Sequence, residues 1–486
     1  MAETIAADYL VVGTGAMGMA FVDTLLSDTQ CTVVMVDRYA RPGGHWTIAY
    51  PFVRLHQPSA FYGVNSRALG EDKVDQVGWN KGLAELATVD EVCGYFSIVM
   101  HQTFLPSGRV SYFPKHEYTG NGEFRSIVTG KTFRVNETTR IVDATYMKVK
   151  VPAMGSPSYE VANEVSLVTP NDLTKVTRPY GGYTVVGAGK TGIDACLWLL
   201  ANGVHENKIT WIMPRDSWFF ERGALQPGPA FKESTAASVA AINQSLMEAV
   251  SLDDLFSRLE EAKQVTRMTA KVRPSMFRCA TISFAELEQI RRVGTIVRQG
   301  RVVRIETGEV TMEQGTYRPQ PDTLYIDCSA DALAKIEPVP VFRGRSITLQ
   351  SVRYCQQVFS AAFVAHVEAT YGNDDAAKND MCRVVPHPDE AMDYLVVILQ
   401  SHLNGLKWAS HPQTAKWLSQ ARLDWFGTLL PEAPTDPEQA EGFFAQFAAQ
   451  VQALCSKLEE LIEHLPEQDA IRAKAQMAIY HGTKAT

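Results

Sequence analysis

Residues 9–38 read YLVVGTGAMGMAFVDTLLSDTQCTVVMVDR, and this stretch decides the fold. Four apolar residues (9–12) run straight into Gly13-Thr-Gly15-Ala16-Met17-Gly18. A helix-forming run over 20–26 follows, and then a second apolar run at 32–36 that closes on Asp37. Strand, glycine turn, helix and strand in that order predict a βαβ unit. The glycines serve different physical ends. Gly13 permits the tight turn, Gly15 lets backbone approach a pyrophosphate, and Gly18 lets helix and strand pack closely. The helix start at Ala16 and Met17 offers N–H donors and a positive dipole end to phosphate. Asp37, 19 residues after Gly18, stands where an acid accepts hydrogen bonds from ribose hydroxyls, with Arg38 next to it. With every part in register, the stretch reads as a dinucleotide site.

The same pattern returns about 170 residues later. A strand is predicted over 183–186, a turn at Gly187-Ala-Gly189-Lys190-Thr191-Gly192, a helix over 193–201 stopped by Asn202-Gly203, and a strand over 209–213. Gly189-Lys190-Thr191 invites comparison with the phosphate loop of NTPases. That loop needs a glycine five residues before Gly189, and position 184 is Thr. The second strand runs on through Trp211-Ile-Met-Pro into Arg215. An acid at a strand end repels a 2′-phosphate whereas an arginine pairs with it, so Arg215 favours NADPH over NADH.

Around these two units the chain is ordinary for a globular protein. It has 486 residues, 45% hydrophobic and 21% charged, with a net charge of −8. No long basic block offers electrostatic capture of nucleic acid or of an anionic membrane surface. No stretch approaches 18 apolar residues, and the start MAETIAADYLVVG has no basic region of a secretory signal, so a cytoplasmic location is expected. Eight cysteines are scattered singly and are expected to be buried free thiols, without the cysteine pair of disulfide reductases. No H-E-x-x-H or comparable spacing proposes a metal, and no G-x-S-x-G proposes a hydrolase nucleophile.

Two dinucleotide units in one chain are the plan of flavoproteins that hold FAD in one domain and a nicotinamide nucleotide in the other. Three further segments carry a resemblance to flavin-containing and Baeyer–Villiger monooxygenases. After Asp37 comes Arg41-Pro-Gly43-Gly44-His45-Trp46, similar to the G-G-x-W segment that lies along the FAD in that family. Residues 50–59, YPFVRLHQPS, stand where the family has a loop passing the isoalloxazine ring, here with His56 and Gln57. Residues 324–330, LYIDCSA, look like the strand with which such proteins re-enter the FAD domain, placing Ser329 and Ala330 by the cofactor. Val142, in the strand-like run TRIVDATYMKVKV, is expected beside the FAD as well. The family's F-x-G-x-x-x-H fingerprint is absent, and residues 161–183 read VANEVSLVTPNDLTKVTRPYGGY instead.

The resemblance implies an α/β fold of two Rossmann-like dinucleotide-binding domains, the NADPH domain inserted in the FAD domain. The expected layout is 1–175 (FAD, first part), 176–320 (NADPH, with a helical insertion over about 231–290), 321–365 (FAD, second part) and a helical region over 366–486. It also implies an NADPH-dependent, FAD-containing monooxygenase-like oxidoreductase acting on a small organic molecule, with O₂ as co-substrate. Gln57 and His56 are the catalytic candidates. The alternative is an NADPH-dependent flavin dehydrogenase or reductase that inserts no oxygen.

Overall fold

The computed structural model describes residues 2–330, 336–428 and 436–482. The first glycine unit forms as its sequence dictates. Strand Tyr9–Val12 pairs in parallel with Val33–Asp37, and helix Ala16–Asp28 connects them. These strands are the centre of a six-stranded sheet in the order 342–343, 346–348, 140–143, 9–12, 33–37, 110–114. All pairings are parallel except the hairpin of Phe342–Arg343 with Ser346–Thr348. The helix Gln357–Thr370, whose run VFSAAFVAHV is buried on every face, packs on Ala16–Asp28 and covers one side of the sheet.

The second unit builds a separate five-stranded parallel sheet, ordered 166–168, 323–327, 182–186, 209–212, 295–297. Helix Lys190–Ala201 follows its central strand. Here the domain layout expected from sequence needs correction. The strand Thr323–Asp327 does not return to the first sheet. It pairs with Gly182–Val186, register Val186↔Asp327, and the return is made by Ser346–Thr348 on Arg140–Asp143. A short apolar parallel strand reads the same in either sheet, and only its neighbours decide which one it joins.

The region after the second unit is helical only in part. Helices Lys232–Glu248 and Leu252–Glu261 occupy its first half, but Met276–Ile282 is a strand. It pairs in parallel with Ser217–Glu221 in a three-stranded sheet completed by Val265–Thr266. The β-prone run MFRCATI, bounded by turn residues, outweighs the helical composition on either side of it. In the C-terminal region, helices Asp393–Ala409, Pro437–Glu463 and Glu467–Tyr480 share a core with Trp218 of the strand Ser217–Glu221 and with Phe256 and Phe277 of the insertion. Among the described residues no helix is long and apolar enough to cross a membrane.

Candidate functional site

A cavity of about 2100 Å³ lies where the two sheets, the insertion and the C-terminal helices converge. Gly187, Gly189, Lys190 and Thr191 of the second turn line it, with Arg215 from the following strand end. His45, Trp46, His56 and Gln57 line it from the first unit, and Ser329 and Ala330 from the end of the 323–327 strand. Some of the candidates from each unit therefore meet at one cavity.

The three glycines of the second turn differ in what holds them. Gly187 has a φ of 121°, and a Cβ there would lie 2.4 Å from the Cys328 carbonyl oxygen. A Cβ on Gly192 would lie 2.3 Å from the Gly187 carbonyl oxygen, so helix and strand touch there. Gly189 caps the helix in extended backbone (φ −80°, ψ −178°), and a Cβ there would meet nothing within 4 Å. No side chain caps that helix, and its first turn holds no acid. The result is an open cradle at a helix N-terminus facing a cavity, which fits a pyrophosphate. Lys190 pairs with Asp194, whose carboxylate also accepts the Tyr50 hydroxyl at 2.7 Å.

Arg215 is on the cavity wall, its Nη2 at 3.0 and 3.2 Å from the carboxylate oxygens of Asp389. Arg278 binds the same carboxylate through Nε at 2.6 Å, so Asp389 anchors two guanidinium groups. The acid next to Arg215, Asp216, is buried and held by Arg298 at 2.7 and 2.9 Å, which neutralises it.

The first turn is clasped by its own acid. Asp37 accepts the Thr14 N–H at 2.6 Å and the Thr14 hydroxyl at 2.7 Å on one oxygen, and the Tyr39 N–H at 2.8 Å on the other. The Gly43-Gly44 segment crosses the turn, the Gly43 N–H donating to the Thr14 carbonyl at 2.9 Å. Gly44 has a φ of 57°, and a Cβ there would come within 2.9 Å of Gly15 Cα, so the close approach of the two backbones needs glycine at position 44. Helix Ala16–Asp28 starts with no side-chain cap and no acid in its first turn. An uncapped helix start of this kind fits a diphosphate group, and Asp37 Oδ1, which accepts one hydrogen bond, keeps acceptor capacity. Gly13, Gly15 and Gly18 are not on the cavity wall, and the side chains of Met17 and Val142 are packed in the core. Arg38 lies beside Tyr39, its guanidinium 5.2 Å from the ring centre.

His45 and Trp46 carry the first unit to the cavity. Their rings stack at 5.6 Å, and the Trp46 indole N–H donates to the Tyr62 hydroxyl at 2.8 Å. Burial holds the His45 imidazole down to about 4. His56 is held lower, to about 3, by burial and by the nearby charges of Lys190 and Arg222. Its Nδ1 accepts the Thr281 N–H at 3.3 Å, which puts the proton of the neutral ring on Nε2.

Two features of the site escaped sequence reasoning. Arg222 is completely buried and donates to the His56 carbonyl (3.0 Å), Asn80 Oδ1 (3.0 Å) and Glu286 Oε2 (2.7 Å), tying the His56 loop to the insertion. Nothing in WFFER marks that arginine as internal. The cysteine expectation also needs correction: Cys31, Cys93, Cys196, Cys328, Cys382 and Cys455 are free, but Cys279 and Cys355, 76 residues apart, form a disulfide on the cavity wall. They come from different sheets and segments, so no spacing rule reveals them.

No protein-family model matches the chain. Among solved structures, it is similar to an open form of cyclohexanone monooxygenase (12% identity, TM-score 0.46, 98% of this chain and 99% of that one). It is also similar to a flavin-containing monooxygenase from Stenotrophomonas maltophilia (13%, 0.44, 76% and 98%) and to a bacillithiol disulfide reductase from Staphylococcus aureus (8%, 0.43, 76% and 99%). In sequence, it is 50% identical over 463 residues to the uncharacterized proteins Rv2000 of Mycobacterium tuberculosis and Mb2023 of Mycobacterium bovis. Each alignment covers 95% of this chain and 86% of the relative. At that identity and coverage, the chain belongs to the same protein family as these mycobacterial proteins.

Proposed function

We propose that the protein is an FAD- and NADPH-dependent oxidoreductase of the cytoplasm that acts on a small organic molecule as a monooxygenase. The observation that carries this reading is a single cavity lined both by the loop after the first glycine unit (His45, Trp46, His56, Gln57) and by the second glycine turn (Gly187, Gly189, Lys190, Thr191). When bound there, the cofactors supply hydride transfer from nicotinamide to flavin and, with O₂, oxygenation.

The chain's own groups have distinct roles in this reading. The first turn and the crossing Gly43-Gly44 backbone hold the FAD diphosphate, and the cradle at Gly189 holds that of NADPH. Arg215, steadied by Asp389, meets the 2′-phosphate. His56 stays neutral across the physiological range and offers an Nε2–H donor. Gln57 adds an amide that donates and accepts without titrating. Apolar walls from the insertion and the C-terminal helices keep water away from the reacting atoms. The test is product analysis during NADPH turnover with a panel of small ketones, sulfides and amines. Oxygenated product that falls in favour of hydrogen peroxide in Gln57→Leu supports the reading, and peroxide as the sole product with every substrate refutes it.

The second reading, an NADPH-dependent flavin reductase without oxygen insertion, is favoured by the Cys279–Cys355 disulfide on the same cavity wall.

A further inference from the structure

Cys279 lies in the strand Met276–Ile282, and Cys355 just before the helix Gln357–Thr370, so their bond joins the insertion to the segment that re-enters the first sheet. Three observations separate this disulfide from a structural staple. It is in a chain whose six other cysteines are thiols, and its surroundings (Trp218, Phe256, Phe277 and Tyr394) already form a closed core that needs no cross-link. Both cysteines are on the cavity wall, and both have backbone in the left-handed region, φ 57° and 52°, which side chains rarely adopt. A ring nitrogen of His387 and the two sulfurs lie within 4.8 Å of one another. His387 Nδ1 is 2.9 Å from the Pro388 carbonyl oxygen, which can only accept, so Nδ1 carries a proton.

We propose that Cys279 and Cys355 are a dithiol–disulfide couple that takes up the electron pair NADPH delivers into the cavity. The inference rests on the proposed binding of FAD and NADPH, the flavin being the relay. The step balances as NADPH + H⁺ + disulfide → NADP⁺ + two thiols. The S–S bond breaks, the two electrons and one proton come from the hydride, and the second proton comes from solvent through His387, which protonates a departing sulfur. The pair so opened is competent for exchange with a small disulfide entering the cavity, which returns it to the bonded form and releases two small thiols.

The test uses the whole purified protein under anaerobic conditions. Its flavin absorbance is followed during NADPH addition, and it is then denatured in N-ethylmaleimide and digested for peptide mass analysis. The expected result is bleaching of the flavin together with one maleimide on each of Cys279 and Cys355, neither of them labelled without NADPH. His387→Gln should slow the labelling several-fold while leaving the rate of bleaching unchanged. Bleaching with both cysteines still bonded overturns the couple and leaves the proposed function standing. No bleaching and no flavin removes the proposed function and the couple with it. Labelling of both cysteines without NADPH, or one equivalent of zinc retained by the purified protein, also overturns the couple.

Discussion

Gly189→Val separates folding from nucleotide binding more cleanly than any other substitution in the second turn. The backbone there is extended, a conformation valine favours, and nothing lies within 4 Å of the new Cβ. Replacing glycine gains a few tenths to ~1 kcal/mol through the unfolded state, offset by valine being the poorer N-cap residue, so the melting temperature should change little. The added branch fills the cradle in front of the helix N–H groups. Charge-assisted hydrogen bonds contribute about 1.5–3 kcal/mol each. Displacing a pyrophosphate from one or two of them should weaken NADPH binding by roughly 2–4 kcal/mol, or about 30- to 1000-fold in Kd. Gly192→Ala is the converse. Its Cβ would lie 2.3 Å from the Gly187 carbonyl oxygen, forcing backbone to move, and should destabilise by ~1–3 kcal/mol. Calorimetric titration with NADPH and differential scanning calorimetry read both effects. Unchanged NADPH affinity in a well-folded Gly189→Val protein would refute the assignment of this turn.

Arg215→Ala should raise KM for NADPH about ten- to a hundredfold, as expected for one lost charge-assisted bond, and leave NADH nearly unchanged; equal effects in steady-state kinetics with both nucleotides would make Arg215 a structural partner of Asp389. Glu286→Ala leaves Arg222 buried without its counter-charge and should destabilise by about 3–5 kcal/mol in urea titrations, whereas a loss below ~1 kcal/mol would show the network is not integral. Burial holds His45 and His402 to about 4 and His56 to about 3, below the unfolded value. The unfolded chain therefore binds more protons between about pH 6.5 and about pH 4 for His45 and His402, and down to about pH 3 for His56, and these groups contribute stability that is full above that window and lost as pH falls through it. His402→Gln should reduce the acid-side slope of stability by up to about 1.4 kcal/mol per pH unit, and an unchanged slope would mean that His402 titrates normally.

The two βαβ units were legible because local rules specify them. Glycine spacing, apolar runs and the residues at strand ends all act within about 30 residues of one another. The resemblance to a known family places the His45–Trp46 and His56–Gln57 stretches along a flavin, and in the structure all four residues line the cavity. What escaped depends on contacts distant in sequence. The strand 323–327 has no feature that says which parallel sheet it joins, and MFRCATI is a short run between longer segments of helical composition, so a reading over the whole region misses it. Arg222 looks like a surface arginine until Asn80, Glu286 and the His56 carbonyl surround it. The pairing of Cys279 with Cys355 across 76 residues is set by tertiary packing alone.

The central claim is that one cavity brings two dinucleotides together for electron transfer. The most direct measurement of it is the visible absorbance spectrum of the purified protein before and after anaerobic addition of NADPH. The expected result is a yellow protein with flavin bands that NADPH bleaches. A colourless protein that gains no flavin bands on reconstitution with FAD, or bound flavin that NADPH leaves oxidised, would contradict it.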